Sequence, residues 1–310
     1  MTAASIEGKD AKRTSAAARD AGEARAVRDA GHTRAAGGAG DARDEQGARS
    51  AGAGRERDRR RRRRHTPAII TAAGILVLWH LIVVVFEVPT YIAPTPIQVL
   101  QVFVEQGDIL WINFWPTLLE AVAGFALGNS IAVVLAVWFV HNRLAERAFY
   151  PIAVFINTIP IIAVAPILVL MLGNGYAPKI VIAALICFFP TLVNMVRGLK
   201  AVSPQMLELM RVLSASDREI LWKIRLQSSL PFLFAALKIA STTCVIGAIV
   251  GEWIGSNYGL GSLIIEATYN FRAPLLYATV ILGASLAVAF FVTTTLIERR
   301  VLKWKPGDVF

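Results

Sequence analysis

Residues 117–140 read TLLEAVAGFALGNSIAVVLAVWFV, with Glu120 as the one ionisable side chain in the stretch. A hydrocarbon core of about 30 Å takes roughly 20 consecutive apolar residues as helix. This run is long enough to cross, and it is far more apolar than a soluble core. Working outward from it, runs of similar kind fall at about residues 68–86, 149–172, 178–196, 233–251 and 276–297. Gly124, Gly128, Pro160, Pro166, Pro190 and Gly247 interrupt them. Such residues do not disqualify a membrane helix, because neighbouring spans re-satisfy freed backbone groups, but they predict kinks. The expected fold is all-α: a polytopic membrane helix bundle of about six transmembrane helices.

The composition divides sharply. Hydrophobic residues make up 55% of the chain, yet residues 1–64 contain no Leu, Phe, Tyr or Trp and end in the run Arg59–Arg64. That stretch cannot bury enough apolar surface to offset the entropy of ordering it, so a disordered cytoplasmic tail is expected over 1–64. A transmembrane domain over 65–305 and a short C-terminal tail over 306–310 complete the expected organisation. The basic patch before the first apolar run resembles a signal peptide, but its length and the lack of a small-residue cleavage site argue against removal.

A net charge of +10 first suggests nucleic acid. Seventeen of the 32 Lys and Arg lie in the tail, mixed with acids and without an aromatic stacking platform, which argues against that class. Cys187 and Cys244 sit in apolar runs, where free cysteine acts as a small hydrophobe. Four scattered His show no metal-ligand spacing, so no metal site and no catalytic cluster are expected.

Orientation follows from the loops that carry Lys and Arg. With Arg59–Arg64 inside, the inner segments hold Arg143, Arg147, Arg197, Lys200, Arg211, Arg218, Lys223, Arg225, Arg299, Arg300, Lys303 and Lys305, against Lys179 and Arg272 outside. Both termini are therefore expected in the cytoplasm. The first outer segment, 88–116, reads as a turn and a short interfacial helix, with Trp111, Phe114 and Trp115 as an aromatic belt at the start of the second span.

The inner segment after the fourth span is patterned too well for a connector. Ser203-Pro204 is an N-cap followed by proline at the first helical position. Met206, Leu209, Met210 and Leu213 then share one face. Ser214-Ala215-Ser216 interrupts, and Ser216 with Glu219 forms a capping box that starts a second short helix, Asp217 to about Leu226, before Pro231 opens the fifth span. Two short helices at an angle make a knob that another protein could grip.

The run Leu207-Glu208-Leu209-Met210-Arg211-Val212-Leu213-Ser214-Ala215-Ser216, with Ile220, Ile224, Leu230 and Pro231, resembles the EAA loop of ABC importer permeases. Leu209 and Met210 replace the two alanines of that pattern, and Ser214 stands where glycine is usual. Resemblance extends over about residues 68–305 and is closest to the nitrate, sulfonate, taurine and pyrimidine-precursor group. It is supported by Ala93-Pro94-Thr95-Pro96, Thr158-Ile159-Pro160 with Ala165-Pro166, and Gly251-Glu252-Trp253-Ile254-Gly255 with Gly259-Leu260-Gly261.

The resemblance implies a type I importer-like permease in the bacterial cytoplasmic (inner) membrane. Two permease copies would form a homodimer in membrane lipid, with two ATP-binding cassette subunits and a periplasmic or lipid-anchored solute-binding protein. The loop 203–226 would couple to the ATPase through Glu208, Leu209, Met210, Arg211, Ser214, Ala215, Ser216 and Asp217. ATP and Mg would be used by the partner, since this chain has no G-x-x-x-x-G-K-[ST] motif. The cargo would be a sulfonate-, nitrate- or taurine-like anion or a pyrimidine-type vitamin precursor. Asn157, Thr158, Asn194 and Glu252 are candidates for the translocation pathway. Polar residues in spans more often bond between helices, and Gly124 and Gly128 more often pack helices within a subunit than mark a dimer seam. The rival class is a secondary transporter or channel, which would predict more intramembrane charge or internal repeats.

Overall fold

The computed structural model describes residues 70–302. The expected 1–64 tail, the 306–310 tail, Lys303 and Lys305 lie outside the described residues. The backbone falls into two units, divided after Val77. Of the first, Ile70–Val77 is described, the exposed opening turns of α1 (Ile70–Val85).

The second unit continues as α2 (Pro96–Glu105), α3 (Gly107–His141), α4 (Arg143–Thr158), α5 (Ile161–Leu172), α6 (Tyr176–Lys200) and α7 (Pro204–Val212). α8 (Asp217–Glu219) then passes through π-helical residues Ile220–Arg225 into α9 (Leu226–Glu252), followed by α10 (Leu260–Tyr269) and α11 (Ala273–Val301). The described residues contain no strand. Four helices are long and apolar enough to cross a membrane: Gly107–His141, Tyr176–Lys200, the continuous Asp217–Glu252, and Ala273–Val301. The α4–α5 pair, bent by 99°, counts as a fifth, broken span, and α1 is a shorter apolar helix. The expected all-α membrane bundle is present among the described residues, with four such helices, or five with the broken pair, where about six spans were expected; α1 is too short to count as another.

Helix α6 is the hub because small residues let its neighbours come close. A Cβ on Gly124 would meet Ala183, and one on Gly128 would overlap the carbonyl of Ala184. From the other side, Gly247 lies against Ala183 and Gly251 against Lys179. The glycine pair of α3 thus packs within the subunit, as expected. Around this seam Ala121, Cys187, Ala240, Cys244 and Ala248 are buried, and both cysteines are free. Towards the loop that follows α6, Phe139, Leu192, Met195 and Leu199 form a second cluster. At the opposite end Val99, Leu110, Leu263 and Leu275 join α2, α3, α10 and α11. Helix α2 begins with a Thr95–Gln98 capping box and Pro96 in its first turn.

Three boundaries differ from the sequence expectation. The second span starts at Gly107, not Thr117, and runs through Pro116; on this helix Trp111 stacks on Phe114 and both meet Trp115 edge to face, with centroids 5.3–6.1 Å apart. The third breaks at Ile159–Pro160, because proline disfavours helical backbone before it, and Ile159 is extended at φ −72°, ψ 127°. Pro231 does not open the fifth span. It sits inside α9, and the helix begun at Asp217 continues to Glu252, because nothing after the Ser216 cap ends it.

Candidate functional site

The loop between α6 and α9 is built by its own side chains. Ser203 caps α7 by accepting from the Met206 amide. Past the end of α7, Ser214 takes φ +54°. The Ser214 amide donates to the Arg211 carbonyl (2.9 Å) and the Ala215 amide to the Met210 carbonyl (3.0 Å). This is the Schellman closure, which normally carries glycine at the left-handed position. Ser216 then starts the next helix, its hydroxyl accepting from the Glu219 amide and its own amide donating to Glu219 Oε2 at 3.0 Å. That backbone bond, with Lys223 at 3.0 Å, holds the Glu219 carboxyl down at about 2.

No residue of α7 is buried. Leu209, Val212 and Leu213 are 52%, 81% and 67% exposed, an apolar edge that the subunit itself does not cover. Of the eight expected coupling residues, Glu208, Leu209, Arg211, Ser214, Ser216 and Asp217 are exposed, and Met210 and Ala215 half-buried. Behind α7 lies a cavity of about 420 Å³ whose lining includes Arg143, Arg147, Lys200, Leu207 and Arg225. Lys200 there pairs with Glu146.

A second site sits at the other end of the same helices, where Glu252 closes α9. Glu252 is 1% exposed; it accepts from the Thr117 hydroxyl at 2.6 Å and from the Gly261 amide at 2.6 Å. Thr117 in turn accepts from the Leu260 amide (2.8 Å), and Asn113 accepts from the Gly259 amide (2.8 Å). The α10 N-terminus is therefore capped by side chains of α3 and α9, not by its own N-cap residue, Gly259. Glycines make this possible: Gly259 has φ +124°, and a Cβ there would overlap the Glu252 carboxylate, while one on Gly261 would overlap the Ile249 carbonyl.

One turn along α3 from Thr117, the Glu120 carboxylate is fully buried and makes no hydrogen bond. Its neighbours are the Glu252 carboxyl and the Lys179 ammonium, 3.6 Å from Oε1. Lys179 is 5% exposed and donates to Ser256 Oγ at 2.7 Å. Two carboxylates and one ammonium are thus gathered from α3, α6 and α9. Burying ionisable groups at membrane depth is costly and marks functional positions.

The four pathway candidates are not gathered in this way. Asn157 and Thr158 are exposed at the end of α4, beside the break, and Thr158 donates to the Phe155 carbonyl at 2.7 Å. Asn194, half-buried on α6, donates to the Pro190 carbonyl at 2.8 Å. Glu252 alone joins the cluster. The residues that sequence reasoning missed as a group are Asn113, Thr117, Glu120 and Lys179. A signal was available: Thr117 and Glu120 lie three apart on one helix face, inside an otherwise apolar run.

Residues 128–303 match the family model described as binding-protein-dependent transport system inner membrane component. A probable ABC transporter permease protein of Haemophilus influenzae is 34% identical over 217 residues, covering 70% of this chain and 89% of its own. The formylaminopyrimidine transport permease protein ThiX of Halalkalibacterium halodurans is 32% identical over 232 residues, covering 74% and 92%. Among solved structures, a chain of the MetNI methionine ABC transporter in an inward-facing conformation shares the fold at a TM-score of 0.53 and 21% identity, over 65% of this chain and 98% of that one.

Proposed function

The chain belongs to the binding-protein-dependent transport system inner membrane component family, and from this we propose that two copies form the translocation pathway of an ATP-driven importer in the bacterial inner membrane. Each copy grips an ATP-binding cassette subunit through the turn around Ser214. ATP and Mg act in that partner, and a periplasmic or lipid-anchored binding protein delivers the solute to the opposite end. Both termini face the cytoplasm in this reading, in line with the basic residues gathered near the loop. The cargo is a pyrimidine-type precursor or a small sulfonate-, nitrate- or taurine-like anion.

The observation that carries this reading is the edge of α7: a capped, closed turn presenting Leu209, Val212 and Leu213 outward with Glu208 and Arg211 beside them. A surface of that kind fits a partner cleft, because apolar residues at the centre of a contact and charges at its rim are the usual anatomy of an interface. The test is co-purification in detergent from the native cell. Wild-type chain is expected to retain an ATPase and Glu208→Arg to lose it. A well-folded wild type that retains none sinks the reading and favours a secondary transporter or channel.

A further inference from the structure

Four cations line the cavity behind α7: Arg143 and Arg147 from the start of α4, Lys200 from the end of α6, and Arg225 from the π-helical turn before α9. The one carboxylate in the wall, Glu146, already pairs with Lys200. Four positive charges against one negative leave +3, and Arg143, Arg147 and Arg225 pair with no carboxylate among the described residues. Like charges gathered round one cavity repel each other, so what this one lacks is an anion. Its position matters as much as its charge. Helices α3 and α6, both long and apolar enough to cross a membrane, end at His141 and Lys200, so the cavity lies where spans leave the hydrocarbon. Next to the cations Leu144 is 76% exposed, and Trp138 and Phe149, also exposed, meet across the α3–α4 corner with ring centroids 5.4 Å apart. Helix α4 thus turns charge to the cavity and apolar side chains outward, the pattern of a helix at lipid headgroup level.

We propose that this cavity binds the phosphate of an anionic phospholipid, with Arg143, Arg147 and Arg225 donating to the phosphate oxygens and the acyl chains running along Leu144 and Phe149. Guanidinium forks match phosphate oxygens pairwise, and basic pockets between membrane helices take anionic headgroups. A zwitterionic lipid brings its own cation to a wall of net charge +3, which opposes it. None of the described residues lining the cavity is aromatic, so a nucleotide has no ring on which to stack its base, and free phosphate makes no use of the apolar outer face. The space of about 420 Å³ accommodates a headgroup, as ligand pockets run to about 300–1,000 Å³. Leu207 puts α7 in the same wall and Arg225 leads into α9, so a bound headgroup ties α4 and α6 to the loop between α6 and α9.

To test this, the full chain is stripped of lipid in a neutral detergent and offered equal amounts of phosphatidylglycerol and phosphatidylcholine with the same acyl chains, and the retained lipid is counted by native mass spectrometry. Wild type is expected to keep one phosphatidylglycerol, preferred at least tenfold, and inorganic phosphate is expected not to displace it. Arg143→Gln combined with Arg147→Gln and Arg225→Gln is expected to abolish the preference at an unchanged or raised unfolding temperature. Arg197→Gln combined with Arg299→Gln and Arg300→Gln removes three exposed cations outside the cavity and is expected to keep it. Equal losses in the two triple variants would mean that the basic surface attracts lipid without a site, and would overturn the proposal. Displacement by inorganic phosphate overturns it in favour of a free anion. Equal retention of both lipids by wild type overturns it too and leaves the wall to an acidic protein partner. Should the first triple variant not fold, Arg147→Gln alone decides at an exposed side chain without a partner: a preference several-fold weaker is expected, and an unchanged one overturns the site.

Discussion

Thr117 on α3 and Glu252 at the end of α9, 135 positions apart, share a 2.6 Å hydrogen bond in which both side chains are buried. The same Thr117 hydroxyl oxygen accepts from the Leu260 amide, so one hydroxyl joins three helices. Thr117→Val keeps the shape and removes both bonds, orphaning an amide and a carboxylate oxygen. A loss of about 2–4 kcal/mol is expected from two such groups, read as a lower unfolding temperature in detergent. Thr117→Ser, which keeps the hydroxyl, is expected to lose about 1 kcal/mol or less. Equal losses in the two variants would show that the methyl, not the hydroxyl, matters.

Breaking the Glu120–Lys179 pair from the lysine side leaves two buried carboxylates with no cation. Lys179→Met is therefore expected to destabilise the chain by about 3–5 kcal/mol, the usual penalty for removing one partner of a buried pair. The double variant Lys179→Met with Glu120→Gln is expected to recover at least half of that loss. A double variant no more stable than the single one would disprove the coupling of the two groups.

The α3–α6 seam tolerates no side chain at Gly128, whose added Cβ would overlap the Ala184 backbone. Gly128→Val is expected to cost more than about 3 kcal/mol through overpacking and to lower the yield of monodisperse protein in size-exclusion chromatography. Gly107→Ala, with nothing within 4 Å of the new atom, is the matched control and is expected to stay within about 1 kcal/mol of wild type.

At the turn that follows α7, Ser214 holds a backbone conformation at φ +54° that glycine adopts without steric penalty. Ser214→Gly is expected to slow proteolysis of the loop and to retain the ATPase, while Ser214→Val is expected to reduce ATPase retention about tenfold. The paired readout separates the turn's shape from its chemistry, since neither variant adds a charge or hydrogen-bonding group.

Five residues on, the depressed Glu219 carboxyl gives the turn a pH dependence of fixed sign. A carboxylate held at about 2 in the fold, against an ordinary value of about 4.3, stabilises the turn fully above the ordinary value and loses that contribution as pH falls towards 2. Protection of the Glu219 amide from hydrogen exchange, corrected for the intrinsic rate, is expected to drop across that window in wild type. Glu219→Gln should show no such drop.

The bundle and the loop were legible because their signals are local. Apolar runs set the spans, and Ser203-Pro204 and the Ser216–Glu219 box set the helix starts. Ends were less legible: Pro231 looks like a start when read alone, but a proline already inside a packed helix costs one bond that the surroundings can bear. The cluster was hidden for another reason. Glu120 reads as a lone charge near the end of one span, Lys179 as an outer-segment cation, and Glu252 as a candidate for the translocation pathway, and only the close approach of α3, α6 and α9 at their small residues makes them one group. Lys238 shows the same limit: it pairs with Glu298 at 3.0 Å, sixty positions away.

The uninterrupted helix from Asp217 to Glu252 has a mechanical consequence. Its 36 residues make a rod of roughly 54 Å, with the turn around Ser214 at one tip and the Thr117–Glu252 bond at the other. A tilt of about 5° pivoted at Asp217 would sweep Glu252 through roughly 5 Å, well beyond the reach of a hydrogen bond of about 3 Å. Such a lever cannot tilt at its Asp217 end while its far tip stays clasped. Either α3 and α10 travel with it as one body, or the clasp opens and the buried Glu120 is uncovered.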